Sequence, residues 1–167
     1  PVKDGSIYFG RQDGGLARRN PDGSFTSWDT TNGFPARRVN ALLEFGGGLF
    51  IGTHGGGVVR LSGDELEIFR KAEGLPDDRV WTLVNVLDPA GKPTLLAGTQ
   101  GGLAAFDGRR FVPFRPDAVP TGLSVNGVLP SRDAAGRPVL WVSAFGTGVF
   151  RLSAEGAFDP AVGIFAF

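Results

Sequence analysis

The sequence contains no cysteine, and its positive and negative side chains are balanced at 17 each. The lack of cysteine excludes disulfide bonds, thiolate zinc sites and a cysteine nucleophile, and it is compatible with an oxidising or a reducing compartment. The charge is not skewed in either half, so we expect no nucleic-acid partner. No apolar run approaches the length of a membrane span, and we expect no direct membrane contact in this segment.

Histidine and facing acids are also scarce. His54 is the single histidine, so a histidine metal cluster is impossible and a Ser-His-Asp triad would depend wholly on it. The adjacent acids Asp77 and Asp78 diverge, and we expect them to tighten a turn rather than to face a glycoside as a catalytic pair. No glycine loop carries the Lys-Ser/Thr of a phosphate-binding loop. The sequence therefore predicts no catalytic residues, no metal site and no cofactor.

What the chain does contain is glycine, proline and short apolar clusters. It has 27 glycines and 12 prolines, and 41% of its residues are hydrophobic. The apolar clusters are spread evenly, unlike those of a disordered tract, and they favour short strands punctuated by turns. The chain opens at Pro1 with no charged-then-apolar leader, and we interpret it as a mature segment or an excised fragment.

A repeat organises these short strands. Each copy has an apolar strand that ends in a small residue, a glycine-rich connection and a second strand. The small residues are Gly10, Gly52, Gly98 and Ser143, so the steps between copies are 42, 46 and 45 residues. Self-similarity at such a period is typical of folds built from one supersecondary unit per copy.

Two further apolar segments complete a copy. An apolar pair spaced by three residues follows the second strand after a turn such as Asp107-Gly108, whose residue types tolerate hairpin dihedral angles. These pairs are Phe25 and Trp28, Leu66 and Phe69, Phe111 and Phe114, and Phe158 and Ala161. A glycine then precedes a valine by six residues, and we expect another strand to open at that valine. The glycine and valine positions are Gly33 and Val39, Gly74 and Val80, and Gly122 and Val128.

Four short strands per copy, with no helical periodicity, predict an all-β fold. The expected architecture is a β-propeller of four blade-like repeats, each a four-stranded antiparallel sheet, with blades at about 1–38, 39–79, 80–127 and 128–167. The first blade lacks its inner strand, and residues 163–167 would either close it or begin a further blade. Three ways of closing the ring stay open. The four blades could close on themselves, two chains could pair as halves of an eight-bladed ring, or this chain could be a partial propeller within a longer chain.

The same motifs resemble a known repeat. They are Gly74-Leu75-Pro76 with Val80, Gly98-Thr99, Gly101-Gly102-Leu103, Phe106-Asp107-Gly108 and Phe111, with further matches at Gly33-Phe34-Pro35, Gly52-Thr53 and Gly56-Gly57-Val58. This pattern is similar to the two-component-regulator propeller repeat, which occurs in the extracytoplasmic sensor regions of bacterial hybrid histidine kinases. The resemblance implies a periplasmic or other extracytoplasmic location and a non-enzymatic ligand-sensing role in signal transduction.

We expect a ligand to bind where the glycine-containing connections emerge together on one face of the propeller. The candidate binding residues are Arg11, Gln12, Asp13, Arg37, Arg38, His54, Asp78, Arg79, Trp81, Gln100, Asn126 and Phe145. Aromatic, amide and guanidinium groups on one rim suit a carbohydrate or another small polar ligand. The plainer interpretation of any one of them is a solvated loop residue, because loops recruit polar residues for solubility.

Two other functions stay open at this point. One is a propeller enzyme such as a glycosidase or lyase, with Asp13, Asp77 or His54 at its mouth. The other is a lectin-like or structural propeller that assembles by pairing of fragments. The expected partners are therefore a small polar ligand, together with further blades of a longer chain or a second copy of this chain.

Overall fold

The computed structural model describes residues 5–88 and 91–153, and the backbone of residues 158–160. Within those residues the chain forms β-strands and one single-turn 3-10 helix, Lys71–Glu73. The strands are β1 (Ile7–Gly10), β2 (Leu16–Arg19), β3 (Phe25–Trp28), β4 (Val39–Phe45), β5 (Gly48–Thr53), β6 (Val58–Ser62), β7 (Glu65–Phe69), β8 (Val80–Leu87), β9 (Pro93–Thr99), β10 (Gly102–Phe106), β11 (Phe111–Pro113), β12 (Val125–Arg132), β13 (Pro138–Ala144), β14 (Gly148–Leu152) and β15 (Phe158–Pro160). No helix in this part of the chain is long and apolar enough to cross a membrane.

The strands form four antiparallel sheets in which strands adjacent in the chain are also adjacent in the sheet. The first sheet is β1-β2-β3, the second β4-β5-β6-β7, the third β8-β9-β10-β11 and the fourth β12-β13-β14-β15. Aspartates hold several of the tight turns. The Asp107 carboxylate accepts hydrogen bonds from the N–H groups of Arg110 and Arg109 at 2.9 and 2.8 Å, and these bonds, first the one from Arg110 and then the one from Arg109, lower its pKa.

Consecutive sheets pack face against face, and each interface has its own apolar cluster. Leu16, Trp28, Ile51 and Val59 belong to the cluster between the first and second sheets. Phe50, Val58, Leu95 and Phe111 belong to the cluster between the second and third, and Leu96, Leu103, Val142 and Leu152 to the cluster between the third and fourth. The core is therefore divided into layers, each shared by two sheets.

The strand β5 shows why some segments read as continuous apolar runs rather than as alternating ones. Side chains alternate between the two faces of a strand, so Ile51 faces the first sheet while Phe50 faces the third. Because both faces are covered, every residue of β5 is buried. The Phe50 ring meets Phe106 edge-on, with 5.2 Å between ring centroids, which is a favourable aromatic geometry.

The expectation of an all-β chain of short antiparallel strands is confirmed. Within the described residues the first sheet has three strands and lacks the strand that β4, β8 and β12 supply to the others, as the repeat predicted. Ala161 and residues 163–167, which the sequence offered as an outer and a closing segment, lie outside the described residues.

The expected start of the fourth sheet is wrong by three residues. Strand β12 begins at Val125 rather than at Val128, and Val125 takes the register position that Val39 and Val80 hold in their own sheets. Each of these three valines is followed by a β-bulge. The connection from Gly122 into its valine is thus shorter than in the other copies, and constant spacing selected the wrong valine.

Candidate functional site

Two kinds of connection meet along one edge of the sheets, which we call the loop edge. Its loops within sheets span 11–15, 54–57, 100–101 and 145–147, and its connections between sheets span 29–38, 70–79 and 114–124. Backbone hydrogen bonds join the two kinds: the Gly15 N–H donates to the Arg37 carbonyl at 2.7 Å, and the Gly57 N–H donates to the Asp78 carbonyl at 2.9 Å. The glycine-containing connections are therefore neighbours in space.

One hydrogen bond recurs in the second, third and fourth sheets. In each, the first residue of the loop donates its N–H to the carbonyl of the residue before the first strand. The pairs are His54 to Arg38 at 3.0 Å, Gln100 to Arg79 at 2.9 Å and Phe145 to Ser124 at 2.9 Å. Five of the predicted site residues take part in these bonds. The donors His54, Gln100 and Phe145 occupy one equivalent position of the repeat, and the acceptors Arg38 and Arg79 occupy another.

The loop edge is held by a close approach between successive sheets. A Cβ atom added at Gly52 would lie 2.9 Å from Cγ1 of Val80, and one at Gly98 would lie 2.9 Å from Cγ1 of Val125. Glycine at these strand ends therefore lets the first strand of the next sheet lie directly against them. The bulge residue after each valine, such as Trp81, stands outside the regular ladder and presents its side chain at the loop edge.

Four side chains form a connected group that we call the loop-edge cluster: His54, Trp81, Gln100 and Ser124. The His54 ring stands edge-on to the Trp81 indole, with centroids 5.2 Å apart and an interplanar angle of 65°. The Trp81 Nε1–H donates to Gln100 Oε1 at 3.3 Å, and the Ser124 hydroxyl donates to the same oxygen at 3.2 Å. The two donors orient the Gln100 amide nitrogen away from them.

The cluster combines an aromatic surface with polar groups. Trp81 and Gln100 are half-buried and held by their hydrogen bonds, whereas His54 is exposed. An indole with one edge packed and one accessible is a common platform for flat or ring-shaped ligands. The neighbouring amide and imidazole can donate and accept hydrogen bonds. This arrangement can bind a polar ring without any covalent chemistry.

A groove lies beside the cluster on the same edge. It has a volume of about 420 Å³ and runs between the second-to-third and third-to-fourth connections. Its wall includes Pro76, Gly101, Phe114 and Pro120, and Gly101 directly follows the cluster residue Gln100. A ligand larger than one ring would therefore have an apolar surface to extend along.

Three other predicted residues have small individual contacts at the loop edge. The Arg37 guanidinium Nη1 lies 3.8 Å from Oδ1 of the Asp13 carboxylate, but the two side chains are 74% and 79% exposed, so solvent screens the ion pair. The Arg11 carbonyl accepts the Val39 N–H at 2.9 Å, which makes its backbone part of the sheet junction. Gln12, in the same loop, is exposed.

Three acids of the loop edge, Asp29, Asp77 and Asp78, accept hydrogen bonds from backbone N–H groups. The Asp78 carboxylate accepts the Lys71 N–H at 2.8 Å and so holds the 3-10 helix. The Asp77 carboxylate accepts the Arg79 N–H at 2.8 Å, in agreement with the expected turn. Hydrogen bonds from the Thr31 hydroxyl, and then from its N–H, lower the pKa of Asp29. Among the described residues, no group of three His, Asp or Glu side chains could hold a metal ion.

Ser124 and Asn40 also lie at this edge, although the repeat did not mark them as candidates. Ser124 joins the loop-edge cluster, and the Asn40 amide donates to the Val80 carbonyl at 2.8 Å, across two sheets. Both residues flank a first-strand valine, and Asn126, which was predicted, is the counterpart of Asn40. The Asn126 amide oxygen accepts a hydrogen bond from the Ser143 hydroxyl at 2.9 Å. Correct alignment of the valines would have found the whole set.

The fold resembles that of solved bacterial extracellular domains. The extracellular domain of BT4673 from B. thetaiotaomicron, in a structure that assigns it to a one-component system, superposes with a TM-score of 0.69 and 19% identity. A second structure, which assigns the extracellular domain to a hybrid two-component system, gives a TM-score of 0.67 and 18% identity. In both cases 96% of this chain is covered, but only 21% of that chain, so this chain spans about a fifth of their length.

No protein-family model and no curated protein matches the chain. At this level of identity the structural similarity establishes a shared fold. The ligand and partners of this chain have to be argued from its own surface.

Proposed function

We propose that the chain is a ligand-binding part of an extracytoplasmic β-propeller in a bacterial two-component sensor. The shared fold supports this, because the two solved structures described above are extracellular domains of a one-component and a hybrid two-component system. The four sheets packed in chain order support a propeller, in which the sheets 39–69, 80–113 and 125–160 are blades of the expected kind. The role is non-enzymatic binding at the loop edge.

The loop-edge cluster carries the proposal. The hydrogen bonds from Trp81 and Ser124 to Gln100 hold an indole and an amide in fixed positions before any ligand arrives, which lowers the entropic cost of binding. A carbohydrate is the ligand class that best matches an aromatic surface bordered by an amide and an imidazole. The adjacent groove along Pro76 and Phe114 suits an oligosaccharide better than a single sugar.

The test is a thermal-shift screen followed by titration calorimetry, with neutral and acidic hexasaccharides such as xylohexaose, mannohexaose and hexagalacturonate. A ligand that binds the native state raises the unfolding midpoint by mass action. We expect Trp81→Ala to weaken binding of the active sugar about tenfold or more, because the central aromatic surface is lost. Leu87→Ala is the control, since Leu87 is 56% exposed and lies outside the loop edge.

Two results would contradict parts of the proposal separately. If no sugar of the panel shifts the midpoint, carbohydrate is the wrong ligand class. If a sugar binds equally well to Trp81→Ala and to the unchanged protein, the loop-edge cluster is the wrong site. Hydrolysis or elimination of a bound sugar that stops in Asp13→Ala, Asp77→Ala or His54→Ala would favour the enzyme instead.

A further inference from the structure

Gln100 stands at the centre of the loop-edge cluster, and the hydrogen-bonding capacity of its side-chain oxygen is fully used. The Trp81 Nε1–H donates to Gln100 Oε1 at 3.3 Å, and the Ser124 hydroxyl donates to the same atom at 3.2 Å. An indole nitrogen can only donate, so the atom that it meets must be the amide oxygen rather than the amide nitrogen. An amide oxygen has two lone pairs, and here each has a donor.

The side-chain nitrogen of Gln100 is the part of the amide that a ligand can use. Among the described residues, no acceptor forms a hydrogen bond with Gln100 Nε2. The bonds from Trp81 and Ser124 hold the amide in one orientation, so a ligand can accept from this nitrogen without the side chain having to turn. Gln100 therefore presents only hydrogen-bond donors.

Arg79 adds a positive charge beside the cluster. It forms an isolated antiparallel bridge with His54, and residues paired in this way direct their side chains to the same face. The His54 ring in turn meets Trp81 edge-on, with 5.2 Å between the ring centroids. Arg79 is also exposed. Its guanidinium group therefore leaves the loop edge close to the aromatic surface.

Acidic residues precede Arg79 in the sequence, but their carboxylates bind backbone groups. The Asp77 carboxylate accepts the Arg79 N–H at 2.8 Å, and the Asp78 carboxylate accepts the Lys71 N–H at 2.8 Å. In the part of the chain that the structure describes, the Arg79 guanidinium forms no ion pair. The cluster and its neighbour Arg79 thus present an indole, an imidazole, an amide donor and a guanidinium donor.

We propose that the loop-edge cluster binds an acidic oligosaccharide through the carboxylate of a hexuronate residue. This inference rests on the proposed carbohydrate-binding function and narrows its ligand class. A sugar hydroxyl both donates and accepts, whereas an ionised carboxylate only accepts and therefore matches a site that presents donors. The Gln100 amide and the Arg79 guanidinium bind the carboxylate, and the charge strengthens these hydrogen bonds. The sugar ring packs on Trp81.

Titration calorimetry with hexagalacturonate and hexamannuronate, each compared with its fully methyl-esterified form, tests the ligand class. Esterification removes the charge and keeps the length and linkage of the chain. We expect at least one acid to bind about tenfold or more tightly than its ester, because only the acid forms charge-assisted bonds. This preference should shrink in a series of increasing sodium chloride concentrations, since salt screens exposed charges.

Gln100→Glu is the decisive variant, because it has nearly the same shape and keeps an oxygen for the Trp81 and Ser124 donors while a negative charge replaces the amide nitrogen. We expect it to weaken binding of the acid about tenfold or more, and to weaken binding of the ester less. Arg79→Gln should remove most of the preference for acid over ester. Arg109→Gln is the matched control, since Arg109 is exposed in the hairpin between β10 and β11 at the opposite edge, and it should keep that preference.

The possible results separate this inference from the proposed function. If an ester binds as tightly as its acid and Trp81→Ala weakens both, the site binds carbohydrate but not through a carboxylate. Binding of xylohexaose or mannohexaose without binding of either acid would lead to the same conclusion. Unweakened binding of the acid by Gln100→Glu, with an unfolding midpoint like that of the unchanged chain, would also overturn the inference. If no sugar binds, the inference and the carbohydrate-binding function both fail.

Discussion

Some loops of this fold require glycine at one position, and Gly57, in the loop between β5 and β6, is the clearest case. Its φ angle is +78°, and an added Cβ atom would fall on the carbonyl oxygen of Phe69 in the neighbouring strand. Its N–H also donates to the Asp78 carbonyl, which ties the loop to the next connection. Gly57 is therefore required both for its backbone angle and for the space that it leaves.

This requirement can be separated into its two parts. Gly63 has a similar φ of +60°, but an added Cβ atom would have no neighbour within 4 Å. We expect Gly63→Ala to lower the free energy of unfolding by about 1 kcal/mol, the cost of a left-handed alanine. Gly57→Ala should lower it by about 3 kcal/mol, since the strand must also move. Equal losses in urea denaturation would show that backbone angle alone matters.

At the residue scale, the sequence predicted where candidate site residues lie better than it predicted what their side chains do. The candidates His54, Trp81 and Gln100 lie together at the loop edge. His54 and Gln100 follow strand ends and Trp81 follows the valine that opens a strand, and the repeat made these positions visible. Asp78 was also a candidate, yet its carboxylate accepts a backbone N–H. Nothing in the local sequence distinguishes an acid that holds a turn from one that faces a ligand, because both occur in loops.

At the scale of the elements, the interface between the second and third sheets is the aromatic centre of the chain. Phe69, Phe106 and Phe111 contact one another with centroids 5.2 to 5.5 Å apart, and Phe106 also contacts Phe50. Phe111 is fully buried although its strand, β11, has only three residues. A short outer strand is thus anchored by a large side chain rather than by many ladder hydrogen bonds.

The anchoring gives a second stability prediction. We expect Phe111→Ala to lower the free energy of unfolding by about 3–5 kcal/mol, since a buried ring is replaced by a cavity. Phe145→Ala removes the same atoms from a side chain that is 78% exposed and should change stability by less than about 0.5 kcal/mol. Both values come from urea denaturation of dilute protein. A loss at Phe111 no larger than at Phe145 would contradict the role of this ring.

The strands themselves were predictable because the signals for them are local. Short apolar runs ended by turn residues mark β5, β9 and β13, and the aspartates mark several of the hairpins between strands. The start of β12 was not predictable in this way. Val125 and Val128 are equally good strand formers, and what selects Val125 is its contact with Gly98, a residue far away in the chain.

At the scale of the whole molecule, the four sheets are not equivalent in how much of them is covered. The second and third sheets are packed on both faces, whereas the first and fourth are packed on one face by the described residues. In a chain of units that contact mainly their neighbours, stability is the sum of the units and their interfaces. The outer sheets should therefore open more readily than the inner ones.

Native-state hydrogen exchange on dilute protein tests this difference. We expect the slowest exchange in β5 and β9, whose backbones are paired on both sides and lie between covered faces. We expect faster exchange in β1, which pairs only with β2 among the described strands. Uniform protection across the four sheets would mean that the chain opens only as a whole.

The sequence by itself determined the all-β class, the number of copies and the order of strands, because these depend on apolar alternation and turn residues within short segments. Only the tertiary structure decided which side chains meet. Trp81 contacts His54 and Gln100 because a bulge after Val80 and a close approach at Gly52 bring three successive loops to one edge. Those contacts join residues 19 or more positions apart, and such pairing is set by packing between sheets, which no local pattern encodes.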